Sequence, residues 1–115
     1  MDTRSSLDLP HSALYPILQT YCELLNRQDD GTTTKMIVSD DRTRYLVITE
    51  GWNGKKRIHA LIFDAEIRSG KIWLHYDGLG HGITEELLAA GISKESIVLA
   101  FHPPSVRQHT GYAIA

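Results

Sequence analysis

Apolar residues at Leu14, Ile17, Leu18, Tyr21, Leu24 and Leu25 recur at helical spacing and form one stripe. The pattern predicts a helix running to about Arg27. Pro16 fits only a first turn, so the regular helix is expected to begin between Ser12 and Tyr15. Polar residues and Gly31 then end it. Beyond them the period falls to two. Thr32–Ser39 reads as a strand, and Asp40-Asp41-Arg42-Thr43 as a short polar loop. Arg44–Asp77 reads as three antiparallel strands joined by two short turns.

The first turn is expected at Asn53-Gly54, whose residues tolerate the positive φ of a type I′ hairpin. Counting outward places Glu50 opposite Arg57, Thr49 opposite Ile58, Val47 opposite Ala60 and Leu46 opposite Leu61. The second turn, Ser69-Gly70, places Ile67 opposite Ile72, Ala65 opposite Leu74 and Phe63 opposite Tyr76. Because side chains alternate across a strand, one face collects Leu46, Ile48, Leu61, Phe63, Ala65, Ile67, Ile72, Leu74 and Tyr76 and is expected to be core. The other carries Tyr45, Val47, Ile58, Ala60, Ile62 and Trp73 among Asp64, Glu66, His75 and Asp77. That mixture suggests partial cover by a helix or a contact with another chain. Tyr45, Val47, Ile58, Ile62 and Trp73 are accordingly the candidate partner surface, for docking or self-association.

A short helix is expected over Thr84–Ala90, with Thr84 as its cap, Glu85 and Glu86 at its positive end and Gly91 just past its end. Ile97–Phe101 is an apolar run, either a strand or a buried extended segment, and Pro103-Pro104 breaks it. Ser105–His109 suits one last helical turn, and Tyr112–Ala115 is apolar enough to dock on the body. The reading is a single α+β domain over residues 1–115, with 1–9 as a flexible lead-in. Its four-stranded antiparallel meander has Thr32–Ser39 at one edge and Lys71–Asp77 at the other.

At 115 residues the chain can bury roughly 65 per cent of its unfolded surface without covalent staples. A net charge of −2 and a pI near 6.3 leave no overall electrostatic footprint for nucleic acid. One cysteine, Cys22, excludes an internal disulfide and fits a reducing cytosol. No apolar run has signal-peptide or membrane-spanning character, so a cytoplasmic protein is expected.

No catalytic constellation emerges. Gly78, Gly80 and Gly82 precede a helix, but their spacing matches neither the dinucleotide fingerprint nor a Walker loop, and a plain turn explains them better. The six histidines have no metal-ligand spacing, and neither a metal nor a cofactor is expected. Asp64 and His75 face each other in the expected register as a conceivable proton-transfer pair, which an ion pair explains equally well. Asp64, Glu66 and Asp77 lack the spaced lysine of a small nuclease. Cys22 has no base partner and reads as packing. Lys55, Lys56 and Arg57, with Arg42 and Arg44, make the only basic cluster, and the first three are the candidate nucleic-acid contact. Trp52 and His102 read as packing residues.

Several segments together resemble the XisI family, the controlling factors for excision of the fdxN element, found largely in cyanobacteria. They are Arg44-Tyr45-Leu46, Gly51-Trp52-Asn53 with Lys56-Arg57 and His59, Gly70-Lys71-Ile72-Trp73 and Asp77-Gly78. Ala89-Ala90-Gly91-Ile92, Ile97–Pro104 and Val106-Arg107 continue the match, which runs from about Arg44 to Ala115. Ser105 and Gly111 stand where the family often has acidic residues. The resemblance implies a non-enzymatic accessory or regulatory role in site-specific DNA rearrangement, exercised through a XisH-like protein partner. It carries no catalytic or ligand residues. Direct DNA contact through the basic hairpin, or an uncharacterised small-ligand site, are the alternatives.

Overall fold

The structure, a computed structural model, describes residues 8–79 and 82–115. The expectations for residues 1–7 and for Gly80 and His81 lie outside the described residues. The chain runs α1 (Asp8–Asn26), β1 (Thr32–Val38), β2 (Arg44–Asn53), β3 (Lys56–Arg68), β4 (Lys71–Asp77), α2 (Thr84–Ala89), a 3-10 turn (Lys94–Ser96), β5 (Ile97–Leu99) and α3 (Pro104–Arg107). The α+β class holds, but the sheet has five strands in the order β1-β2-β3-β4-β5, and β5 pairs parallel to β4. The expected four-stranded antiparallel meander is therefore corrected to a mixed sheet whose far edge is β5. A three-residue strand shows no period, and it joins the sheet only after a helical crossover, so the apolar run alone left its pairing open.

Helix α1 begins at Asp8, earlier than expected, because Pro10 occupies the tolerant first turn. Pro16 lies inside the helix on its solvent side, where it forfeits one backbone bond. The apolar stripe of α1 buries Leu14 and Leu18 fully. Helix α2 closes with a Schellman motif: Ile92 N–H donates to Leu87 C=O, Gly91 N–H to Leu88 C=O, and Gly91 takes φ 98°. Ile83 rather than Thr84 stands at its N-cap, without a side-chain cap.

Two departures from regular pairing decide which residues face the helices. The first hairpin turns at Gly54-Lys55, because Asn53 pairs with Lys56 and only Gly54 takes positive φ, the pattern of a type II′ turn. Ile62 is then an extra residue in β3: Ile48 pairs with Leu61, whereas Val47 pairs with Phe63. Beyond that bulge Tyr45 pairs with Ala65, so Tyr45 and Val47 face inward and Leu46, Ile48 and Leu61 outward. The Ser69-Gly70 turn is as expected, with both residues at positive φ, and Ile67 meets Ile72 and Ala65 meets Leu74. His75 is a second extra residue, which places Asp64 opposite Tyr76 and turns Tyr76 outward. The true core face is Tyr45, Val47, Phe63, Ala65, Ile67, Ile72 and Leu74, packed against Leu14, Leu18, Ile83 and Leu87. Removing a side chain such as Phe63 from water contributes about 2–3 kcal/mol.

Side chains clamp α1 onto this face. His11 and Tyr45 hydrogen-bond through Nδ1 and the phenol. At the other end the Asn26 amide donates to Thr34 C=O at 2.8 Å and accepts from Thr34 N–H at 2.7 Å, acting as a neighbouring strand would on the edge of β1. The β5 edge is covered by the C-terminal segment, where Ala113 N–H donates to Ile97 C=O at 2.9 Å. The tail docks as expected.

Gly51 is the tightest backbone crossing. Its φ is +152°, and a Cβ there would lie 2.2 Å from Gly31 O and 2.7 Å from Thr32 Cα, both backbone atoms. Gly51→Ala is expected to lose more than about 1–3 kcal/mol of stability in urea unfolding, because clash adds to the cost of a rarely populated conformation. Gly54→Ala, with open space at its Cβ, should lose less.

Candidate functional site

The five residues expected to form a partner surface do not share one. Tyr45 and Val47 are fully buried in the core. Burial pushes the Tyr45 phenol up to about 12. Ile62 packs against the same core, and Ile58, opposite Gly51, lies on that side of the hairpin. Trp73 alone lies on the outer face, and the chain itself covers it. The Arg68 guanidinium sits 4.2 Å from its ring centroid and that of Arg107 5.8 Å away.

Helices α1 and α2 both pack on the core side, and on the outer face α3 reaches the sheet only through Arg107 over Trp73 among the described residues. One row crosses four strands as Ile37, Leu46, Asp64 and Tyr76, and the next runs Lys35, Ile48 and Leu61. Ile37, Leu61 and Tyr76 are 45%, 43% and 48% exposed. Sequence reasoning assigned four of these five apolar residues to the core because two unseen bulges invert the alternation. Ile37 alone belonged to an edge strand whose faces were not assigned.

Polar groups on this face pair with one another. Asp64 takes a two-pronged contact from Arg44, at 2.7 and 2.8 Å, rather than facing His75. His75 Nε2 lies 2.9 Å from Glu66 Oε1, which also accepts from Arg68 at 2.8 Å. Arg68, and then His75, hold the Glu66 carboxyl below the usual carboxylate range. These are surface ion pairs, each worth under about 1 kcal/mol.

Gly78, directly after β4, sits at a close backbone approach. Gly78 N–H donates to Ile62 C=O at 2.8 Å, and a Cβ at Gly78 would meet that oxygen at the same distance. Asp77 accepts from Leu79 N–H and Ile83 N–H. Two open clefts of about 300 Å³ meet at Tyr21. Their walls are mainly apolar, and the Tyr21 hydroxyl donates to Glu86 at 2.6 Å. Burial, and then Glu86, raise the Tyr21 pKa. Burial also raises the Cys22 thiol, which packs in the core. Among the described residues no His, Cys, Asp or Glu side chains group to hold a metal ion.

Lys55 lies in the hairpin turn and Lys56 and Arg57 open β3, all three exposed. Arg44 is at the opposite end of β2, roughly 30 Å away, so it does not join them. Trp52, which reads from sequence as packing, is 55% exposed, with the Arg57 guanidinium 5.6 Å from its ring. Arg107 is a clamp. It donates to the carbonyls of His102 at 2.8 Å, Ile114 at 3.3 Å and Ala100 at 3.4 Å, tying the Phe-His-Pro-Pro stretch to the tail.

This arrangement defines an α+β protein whose five-stranded mixed sheet carries α1 and α2 on one face and projects the β2–β3 hairpin. The XisI protein model matches residues 6–114, and the chain belongs to the XisI family. It is 36% identical to the fdxN element excision controlling factor XisI from Anabaena variabilis ATCC 29413, whose crystal structure superposes with a TM-score of 0.81. That alignment covers 96% of this chain and all of the other. A XisI-like protein from the same organism is 29% identical with a TM-score of 0.86, covering 95% of this chain and 99% of that one. No curated protein matches the chain. Among the described residues no helix is long and apolar enough to cross a membrane.

Among the described residues nothing hydrogen-bonds to the buried Trp73 Nε1–H. Trp73→Ala is therefore expected to destabilise the fold by about 2–4 kcal/mol in urea unfolding, through the cavity it leaves. Trp73→Phe should cost distinctly less, since it removes the unpaired donor and keeps a ring beneath the two arginines.

Proposed function

We propose that this protein is a non-catalytic accessory factor controlling site-specific excision of a DNA element, and that it acts through a XisH-like protein docked on the outer face of its sheet. Membership of the XisI family supports the role, since the solved relative is named as an excision controlling factor. The observation that carries the surface is the apolar group of Ile37, Leu46, Ile48 and Leu61 on the outer face, with Tyr76 on the far side of the Arg44–Asp64 pair. An exposed apolar group interrupted by a charged pair is the character of a protein contact. Co-purification of this chain with a XisH-like protein, sized by light scattering, tests the reading. A defined complex is expected, weakened at least tenfold by Ile37→Lys or Tyr76→Lys with thermal stability nearly unchanged. Failure of the two proteins to associate would overturn it.

The exposed tip favours a second reading, direct nucleic-acid contact. Trp52 offers a stacking surface beside Lys55, Lys56 and Arg57. On this reading DNA binding weakens steeply with salt, and its salt dependence flattens when Lys55, Lys56 and Arg57 are changed to glutamine. No binding by the unaltered protein at low salt would remove it.

A further inference from the structure

β3 is longer than its neighbour. Phe63–Arg68 pair with β4, but Lys56–Leu61 pair only with β2, so this overhang has one bare edge. Pairs alternate from the turn, where Asn53 and Lys56 close the ladder, so Arg57, His59 and Leu61 direct their backbone groups away from β2. Among the described residues no backbone group bonds to them there; the next contact along the edge is Gly78 N–H on Ile62 C=O. The chain protects its other edges. Asn26 caps Thr34 on β1, Lys35 adds a charge there, and the C-terminal segment covers β5. The segment Ile58-His59-Ala60-Leu61-Ile62 carries no Asp, Glu, Lys, Arg or Pro, and Leu61 is 43% exposed.

We infer that a second copy of this chain pairs antiparallel with the overhang, about a two-fold axis at His59, joining two sheets into one. The self-complementarity of the edge identifies the occupant. With His59 at the axis, the outward groups of Arg57, His59 and Leu61 meet those of Leu61, His59 and Arg57 in the second copy, using the whole bare edge. Ile58 then lies against Ala60 on the helix side, and Leu61 against the aliphatic stem of Arg57 on the outer side. No like-charged residues oppose one another. In this register Lys56 of each copy comes level with Ile62 of the other, whose C=O already accepts from Gly78, so the tip turns off the sheet there and pairing is confined to Arg57–Leu61. Each His59 keeps Glu50 beside it, across its own hairpin. This inference is argued separately from the reading of the sheet face, because it uses backbone groups at an edge; Leu61 is the one side chain the two share.

Light scattering across a concentration series decides it, with no partner protein present. The unaltered chain is expected at twice its 12.9 kDa mass. Leu61→Lys places a charge on the edge, and His59→Pro removes an N–H that β2 does not use, so each should return the mass to a single chain. Circular dichroism should be unchanged for Leu61→Lys, which alone decides the matter if the proline variant fails to fold. A chain monomeric at every concentration overturns the inference, as does a dimer that survives Leu61→Lys. A monomer that loses a XisH-like partner through the same substitution also overturns it, because the edge then serves a different protein.

Discussion

One added residue in β3 sets the orientation of nearly everything on the sheet. Side chains alternate strictly along a strand, so a single unpaired residue at Ile62 exchanges the inner and outer sets relative to the β2 pairing on either side of it. Tyr45 can then lie under α1 and hydrogen-bond to His11, and Leu46 and Ile48 are left facing outward. Because α1, α2 and the Tyr21–Glu86 contact all occupy the inner side, the choice of face also determines which surface stays uncovered. His75 repeats the device on β4, where it turns Asp77 inward to hold the corner before α2.

The extent of the sequence's legibility follows from this physics. Elements with local signals were readable: the α1 stripe, the Ser69-Gly70 turn and the Gly91 cap all rest on local chemistry, whereas the first hairpin turn lies one residue later than expected. Their apolar content was readable too, since Phe63, Ala65, Ile67, Ile72 and Leu74 form part of the core as expected. The bulges were not, because an extra Ile or His within a strand differs in composition from neither neighbour. Without them Tyr45 and Val47 read as a contact surface, and Leu46, Leu61 and Tyr76 as interior. β5 escaped for a different reason, being only three residues long and paired through a distant crossover. Trp52 misled in the opposite direction, since a tryptophan near a tight turn resembles a packing residue until the hairpin is seen to project.

The residues that carry the family likeness divide between architecture and surface. Arg107 gathers three carbonyls from two segments, and Gly78 admits the close approach to Ile62 that the corner requires. His102 lends its carbonyl to that clamp. Trp52, Lys56, Arg57 and His59, by contrast, all belong to the overhanging hairpin and contribute little to the core. A chain of this size keeps such a projection ordered through the ladder with β1 and β2 rather than through burial.

That projection separates the molecule's two kinds of surface in space. Leu46 and Trp52 lie on the same side of β2, six residues apart, which at strand geometry is about 20 Å. The hairpin thus sets an apolar group on the body apart from a cationic, aromatic tip. Because that distance is set by strand geometry, a substitution at the tip leaves the apolar group's surroundings unchanged, so the two surfaces can be altered one at a time.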